Sequence, residues 1–162
     1  STQKGLDLAL PAIAALREKG LKFRWYIIGV GPEEESLKEQ ARSLGIEQNV
    51  CFLGEQANPY PFLRACEVYL QPSRFEGKSI AVDEAMVLCK PILLTDFSTA
   101  ADQVTSGKNG LIVPMTPEGI AEGLEKLLTD SALRKEFHNA LAAEDFTNEN
   151  EIEKVYSLLS IE

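Results

Sequence analysis

The feature that most constrains this chain is a series of short apolar runs, each separated from the next by a helical pattern. The runs are Phe23 to Val30, Val50-Cys51-Phe52-Leu53-Gly54, Val68-Tyr69-Leu70, Pro91 to Thr95 and Leu111-Ile112-Val113. They are rich in β-branched and aromatic residues and carry almost no charge, as buried strands do. Helices are predicted over Leu6 to Lys19, Glu33 to Leu44, Tyr60 to Ala65, Ile80 to Leu88 and Ala101 to Thr105. Three more follow at Pro117–Leu128, Ser131–Ala143 and Asn150–Leu159. Apolar strands alternating with helices predict a parallel sheet covered on both faces, a doubly wound α/β domain.

Punctuation agrees with that pattern. Leu6, Leu10, Ile13, Ala14 and Leu16 give the first helix a sheet-facing side, and Gly20 closes it. Pro11 falls inside it and predicts a kink or a late start. Glu33, Glu34 and Glu35 open the second helix at the positive end of its dipole, and Gly45 ends it. Gly107-Lys108-Asn109-Gly110 reads as a turn with positive-φ signals. The chain's 162 residues are 44% hydrophobic and 25% charged, enough for one domain with a sizeable core. A net charge of −9 argues against a general nucleic-acid surface. Cys51, Cys66 and Cys89 lie in or beside apolar runs and read as small core residues of a reduced, cytosolic protein. No apolar run reaches 18 residues, so no membrane-spanning helix is expected.

In such folds ligands sit beyond the carboxyl ends of the strands. The turns at Gly29–Pro32, Gly54–Gln56, Ser73–Ser79 and Asp96–Thr99 lie at such ends. Ser73-Arg74-Phe75-Glu76-Gly77-Lys78-Ser79 runs from strand to helix and suits a phosphate, through the helix N-terminus and Lys78. Glu76 lies in the turn. Glu84 lies inside an otherwise apolar helix, where a carboxylate is costly unless something pairs with it. A ligand diol could be that partner; so could solvent at the edge of a half-buried helix. Gly29-Val30-Gly31 alone is too short for a dinucleotide fingerprint. Trp25 reads as core, and His138 as a surface residue far from these turns.

Four motifs recur together: Lys4-Gly5; Glu76 and Glu84 in Phe-Glu-Gly and Glu-Ala-Met; Lys-Pro-Ile-Leu-Leu-Thr-Asp; and Gly-Lys-Asn-Gly-Leu-Ile-Val-Pro. In this order they closely resemble the C-terminal half of family 4 retaining glycosyltransferases, from Lys4 to about Leu128. The resemblance implies one of the two Rossmann-like domains of a GT-B fold, the one that binds the nucleotide sugar. It implies that Glu84 accepts the ribose hydroxyls and that Glu76 contacts the donor sugar as the catalytic-site carboxylate, without acting as nucleophile. It implies diphosphate contacts from Lys4 and from the amides of Gly77, Lys78 and Ser79. Gly54 would line the wall beside the base. No metal and no cofactor are implied, and no general base is assigned. The expected role is hexosyl transfer with retention from a UDP-sugar, in bacterial surface polysaccharide synthesis. The full-length enzyme would be cytoplasmic or peripheral to the membrane.

Several features depart from that family. Lys78-Ser79 stands where an apolar residue and Pro or Gly are common, and Cys89 where glycine is common. The strand ending in Gly-Arg that precedes Lys-Gly in the family lies upstream of residue 1. The N-terminal acceptor domain is outside the chain too, so donor binding without transfer is expected of residues 1–162 alone. In the 3-2-1-4-5-6 strand order that first strand is central. Its neighbours would be the strands at Phe23–Gly29 and Val68–Leu70, and an unfilled slot between them would leave costly unpaired backbone groups. Three outcomes are expected: upstream residues fill it, a second copy fills it, or the neighbours close into a five-stranded sheet. An open slot in a single chain is the outcome this reasoning excludes. Two other functions compete, a non-catalytic nucleotide-binding regulatory domain and a sugar-nucleotide epimerase. The latter needs a histidine in its cleft, and His138 is badly placed for that.

Overall fold

A computed structural model describes residues 2–144 and 146. A 3₁₀ turn, Thr2–Lys4, leads into α1 (Leu6–Glu18). There follow β1 (Trp25–Ile28), α2 (Glu34–Ser43), β2 (Val50–Gly54), α3 (Tyr60–Ala65), β3 (Tyr69–Gln71) and α4 (Ile80–Val87). Then come β4 (Ile92–Thr95), α5 (Ala100–Gln103), β5 (Gly110–Val113), α6 (Pro117–Thr129) and α7 (Ser131–Ala143). The helix expected at Asn150–Leu159 lies outside the described residues.

All strand pairs are parallel, as the apolar runs predict. They form two sheets, β1-β2 and β3-β4-β5. These are the two pieces that remain of a 3-2-1-4-5-6 sheet when its first strand is taken out. β1 and β3 do not pair, so the five-stranded closure is not what forms. β1 has no buried residue, whereas β3 ends on buried Gln71. Tyr26 is 49% exposed and Ile28 38% exposed.

One apolar core joins the two sheets. Leu10, Ile13 and Leu16 of α1 pack with Leu37 of α2, Val50 of β2, Leu93 of β4 and Leu124 of α6. The second core lies on the other face of β4. There Ile92 and Leu94 meet Val82, Ala85 and Met86 of α4 and Leu141 of α7. β4 thus sends alternate side chains to opposite faces, and all of its residues are fully buried. Truncating a Leu in such a place costs about 2–5 kcal/mol.

α1 starts on time and runs through Pro11, against the late start that was one of the two outcomes predicted. Proline cannot donate to the carbonyl four residues back, here that of Asp7. The Gln40 side-chain amide from α2 donates to that carbonyl at 3.2 Å instead. A tertiary contact thus satisfies the acceptor that the local sequence leaves open. Cys51, Cys66 and Cys89 are free thiols, as expected, but they are only partly buried and do not sit in the core. Trp25 and Phe52 pack against the edge of the first core.

Candidate functional site

The site is built where the first turn of the chain meets the loop after β3. Gly5 crosses that loop with φ +63, and a Cβ there would lie 1.9 Å from the carbonyl oxygen of Pro72. Only glycine permits this approach. The contact brings Thr2–Lys4 alongside residues 73–76. The Arg74 amide donates to the Gln3 carbonyl at 2.7 Å, and the Gln3 side-chain amide donates to the Phe75 carbonyl at 3.1 Å. The Arg74 guanidinium donates to both carboxylate oxygens of Asp7, each at 2.7 Å, and to the Thr2 carbonyl at 2.6 Å. This bidentate pair holds the Asp7 carboxyl below its ordinary range. Thr2 donates its backbone N–H and its hydroxyl to Glu33, just after the β1 turn. The turns after β1 and β3 are therefore linked through the start of the chain.

Two sequence-selected residues meet directly. Lys4 Nζ lies 2.6 Å from Glu76 Oε1, and the Ser73 hydroxyl donates to that oxygen at 2.7 Å. The Glu76 side chain is only 10% exposed, that of Lys4 51%. The Thr99 hydroxyl, after β4, lies 2.8 Å from the Glu76 carbonyl oxygen and 3.1 Å from that of Gly77. It supports the turn from the neighbouring strand end.

The turn into α4 is held from α5. The Ser79 backbone N–H donates to Gln103 Oε1 at 2.9 Å, and Gln103 Nε2 donates to the Ser79 carbonyl at 2.9 Å. Gln103 Nε2 also reaches Asp83 at 2.7 Å. The Ser79 hydroxyl donates to the buried Gln71 at 3.0 Å. Lys78 pairs with Asp83 at 3.0 Å. Of the groups selected for a diphosphate, the Ser79 amide and the ammonium groups of Lys78 and Lys4 already have protein partners here. A groove of about 230 Å³ beside the turn is lined by Lys78, Thr99, Asp102 and Gln103. Nothing approaches Gly77 where a Cβ would stand.

Glu84 lies on α4 between buried Val82, Ala85 and Met86. The Tyr60 hydroxyl of α3 donates to its Oε1 at 2.7 Å. Burial first, and then the Glu84 bond and charge, push the Tyr60 phenol up to about 12. Gly54, at the end of β2, has φ +66 and accepts from the Gly29 N–H at 2.7 Å. A side chain there would meet nothing, so its glycine serves the backbone turn.

Ser73, Thr99, Gln103, Tyr60 and the Asp7–Arg74 pair were not picked out in the sequence as site residues. Ser73, Arg74 and Thr99 carried a signal, their place in turns at strand ends; Tyr60, Gln103 and Asp7 carried none. His138, on α7, lies 3.0 Å from the Cys89 carbonyl oxygen at the far end of α4. Cys89 sits at φ +53, in the position after a helix that favours glycine.

Residues 1–143 match the family described as glycosyl transferases group 1. The chain belongs to this family. The group 1 glycosyl transferases similar to it include an alpha-D-kanosaminyltransferase of Streptomyces kanamyceticus, 27% identical over 83% of the chain and 36% of the relative. An uncharacterized glycosyltransferase of Haemophilus influenzae is 30% identical over 96% of the chain and 45% of the relative. A Campylobacter jejuni enzyme named as a diphospho-undecaprenol 4-alpha-N-acetylgalactosaminyltransferase is 30% identical over 84% and 38%. The chain spans less than half the length of these relatives. Among solved structures, HepE of Anabaena in complex with UDP superposes with a TM-score of 0.82 at 22% identity, over 99% of this chain and 46% of that one. TarM superposes with a TM-score of 0.83 at 21% identity, over 99% and 33%. These likenesses show the α/β fold with parallel sheets flanked by helices that group 1 glycosyl transferases share.

Proposed function

We propose that this chain is the donor-binding domain of a retaining glycosyltransferase of the family 4 type, taking a UDP-sugar. The observation that carries the reading is the setting of two carboxylates on either side of the α4 N-terminus. Glu76 is held by Ser73 and Lys4, and Glu84 is held by a phenol and has no ion pair among the described residues. A half-buried carboxylate without a cation suits neutral donors such as a diol. Glu84 would accept the ribose hydroxyls, with Gly54 beside the base, and Glu76 would orient the sugar ring. UDP in the HepE structure supports the choice of nucleotide. Relatives named for lipopolysaccharide core and capsular polysaccharide synthesis support a role in surface polysaccharide assembly.

The chemistry follows from charge. The departing diphosphate gains negative charge while the anomeric carbon becomes electron-poor. Lys4, Lys78 and the N–H groups ahead of α4 stabilise that charge electrostatically, so the reading calls for no metal. Lys78 must leave Asp83 to take part, and the Ser79 amide must leave Gln103. The acceptor falls to a second domain, so transfer by residues 1–162 alone is not expected. The working enzyme is placed in the cytoplasm, at or near the membrane face.

Calorimetric titration with UDP, GDP and ADP tests the reading. UDP is expected to bind most tightly, and Glu84→Ala to weaken it by about 1.5–3 kcal/mol, as for a hydrogen bond to a charged group. Binding of none of the three nucleotides by the folded protein would contradict the assignment.

A further inference from the structure

The Tyr60–Glu84 contact says more than that a carboxylate is satisfied. Glu84 projects from a helix beside the buried side chains of Val82, Ala85 and Met86. A glutamate has three side-chain torsions, so without a fixed partner its carboxylate samples several positions. Tyr60 removes that freedom. The residue is 7% exposed, and a phenol has only two torsions. Its hydroxyl takes Oε1 at 2.7 Å. Among the described residues no other donor reaches the carboxylate, so Oε2 is the acceptor left for a ligand. The backbone of Tyr60 is fixed in turn. Its N–H donates to Asn58 Oδ1 at 3.1 Å, and Pro59 precedes it at the start of α3. Tyr69 also feels the charge of Glu84 and is itself bonded to Gln71, so it does not compete for the carboxylate.

We propose that Tyr60 is a positioning residue of the nucleotide site, holding Glu84 by one oxygen so that the other accepts the ligand's vicinal hydroxyls. This rests on the reading of Glu84 as a diol acceptor given above. It adds a residue that makes no contact with the ligand and yet sets the affinity for a ribose over a sugar lacking those hydroxyls.

Calorimetry on the wild-type protein, Tyr60→Phe and Glu84→Gln, each with UDP and with 2′,3′-dideoxyuridine 5′-diphosphate, tests it. Tyr60→Phe is expected to weaken UDP about fivefold, the loss that about 1 kcal/mol produces. Binding of the dideoxy analogue should be unchanged in that variant. A merely structural role would lower both affinities together, and that result overturns the proposal. If Glu84→Gln weakens UDP while Tyr60→Phe does not, the proposal falls and the donor-site reading stands. If neither variant affects UDP, or UDP does not bind, both fall. Should Tyr60→Phe fail to fold, the ζ-carbon resonance of Tyr60 in the wild-type protein gives the same test. UDP should shift it and the dideoxy analogue should not. An equal or absent shift with both overturns the proposal.

Discussion

Lys4 and Glu76 are 72 residues apart in sequence, and their side chains meet at 2.6 Å. The lysine is half exposed, so this pair contributes under about 1 kcal/mol to stability. Its value lies in placing a cation at the mouth of the α4 turn. Lys4→Ala should therefore leave the melting temperature nearly unchanged. It should weaken UDP about five- to tenfold while leaving uridine unaffected, and raised salt should reduce the difference. Equal loss for uridine in a titration would remove Lys4 from the diphosphate site.

Glu76→Gln separates sugar from nucleotide. Glutamine keeps an acceptor for the Ser73 hydroxyl and removes the charge that holds Lys4. Free UDP should then bind as well as before or slightly better, because the lysine is released. The matching UDP-sugar should bind about three- to tenfold more weakly. Comparing the two dissociation constants checks this, and parallel changes would count against a sugar-facing Glu76.

Gly5→Ala meets two obstacles at once. Its φ is +63, and its Cβ would lie 1.9 Å from a backbone oxygen. The left-handed conformation costs about 1–2 kcal/mol, and the collision adds to it. Urea unfolding should show a loss of at least about 2 kcal/mol. UDP affinity should fall with it, because the arm carrying Lys4 is displaced.

The Asp7–Arg74 pair predicts an acid dependence. Hydrogen bonding from Arg74 lowers the Asp7 pKa from its ordinary 3.8, with burial opposing. A depressed carboxyl contributes stability above its unfolded pKa and loses it as pH falls through the folded value. Asp7→Asn should thus be less stable than wild type at pH 7, by about 0.5–1 kcal/mol for a partly exposed pair. The gap should close below about pH 3.8. Melting curves across that range measure it, and a gap that widens in acid would have the wrong sign.

Cys89→Gly should stabilise the protein. Cys89 holds φ +53 after α4, with its N–H on the Met86 carbonyl and the Lys90 N–H on that of Ala85. Glycine takes that geometry without strain, for a gain of about 1 kcal/mol less the packing of a partly buried thiol. Chemical denaturation would show the midpoint rising with an unchanged slope.

The alternation of strands and helices was readable because each apolar run is short and bounded by turn residues. Boundaries slipped where polarity misled. The strand read as Val68-Tyr69-Leu70 runs on to Gln71, which accepts from Tyr69 and Ser79. Pro11 looked like a break, yet Gln40 supplies the missing donor from another helix. The two carboxylates stood out because charge is rare in those stretches. Their supports did not, since Tyr60 lies 24 residues from Glu84 and Asp7 lies 67 from Arg74. Only the tertiary fold makes such residues neighbours.

The Arg74 amide is bonded to the Gln3 carbonyl, so the site is closed by Thr2–Lys4 docking on a loop some seventy residues along the sequence. Such a closure comes at an entropic cost that local segments do not incur, so it forms late in folding and opens early in local unfolding. Hydrogen exchange at the Arg74 amide should therefore report opening of the site below the global unfolding energy. A diphosphate that bridges Lys4 and the α4 turn would slow that exchange. The nucleotide would then act as a clasp between two segments distant in sequence, and its binding could be followed by protection of one backbone proton.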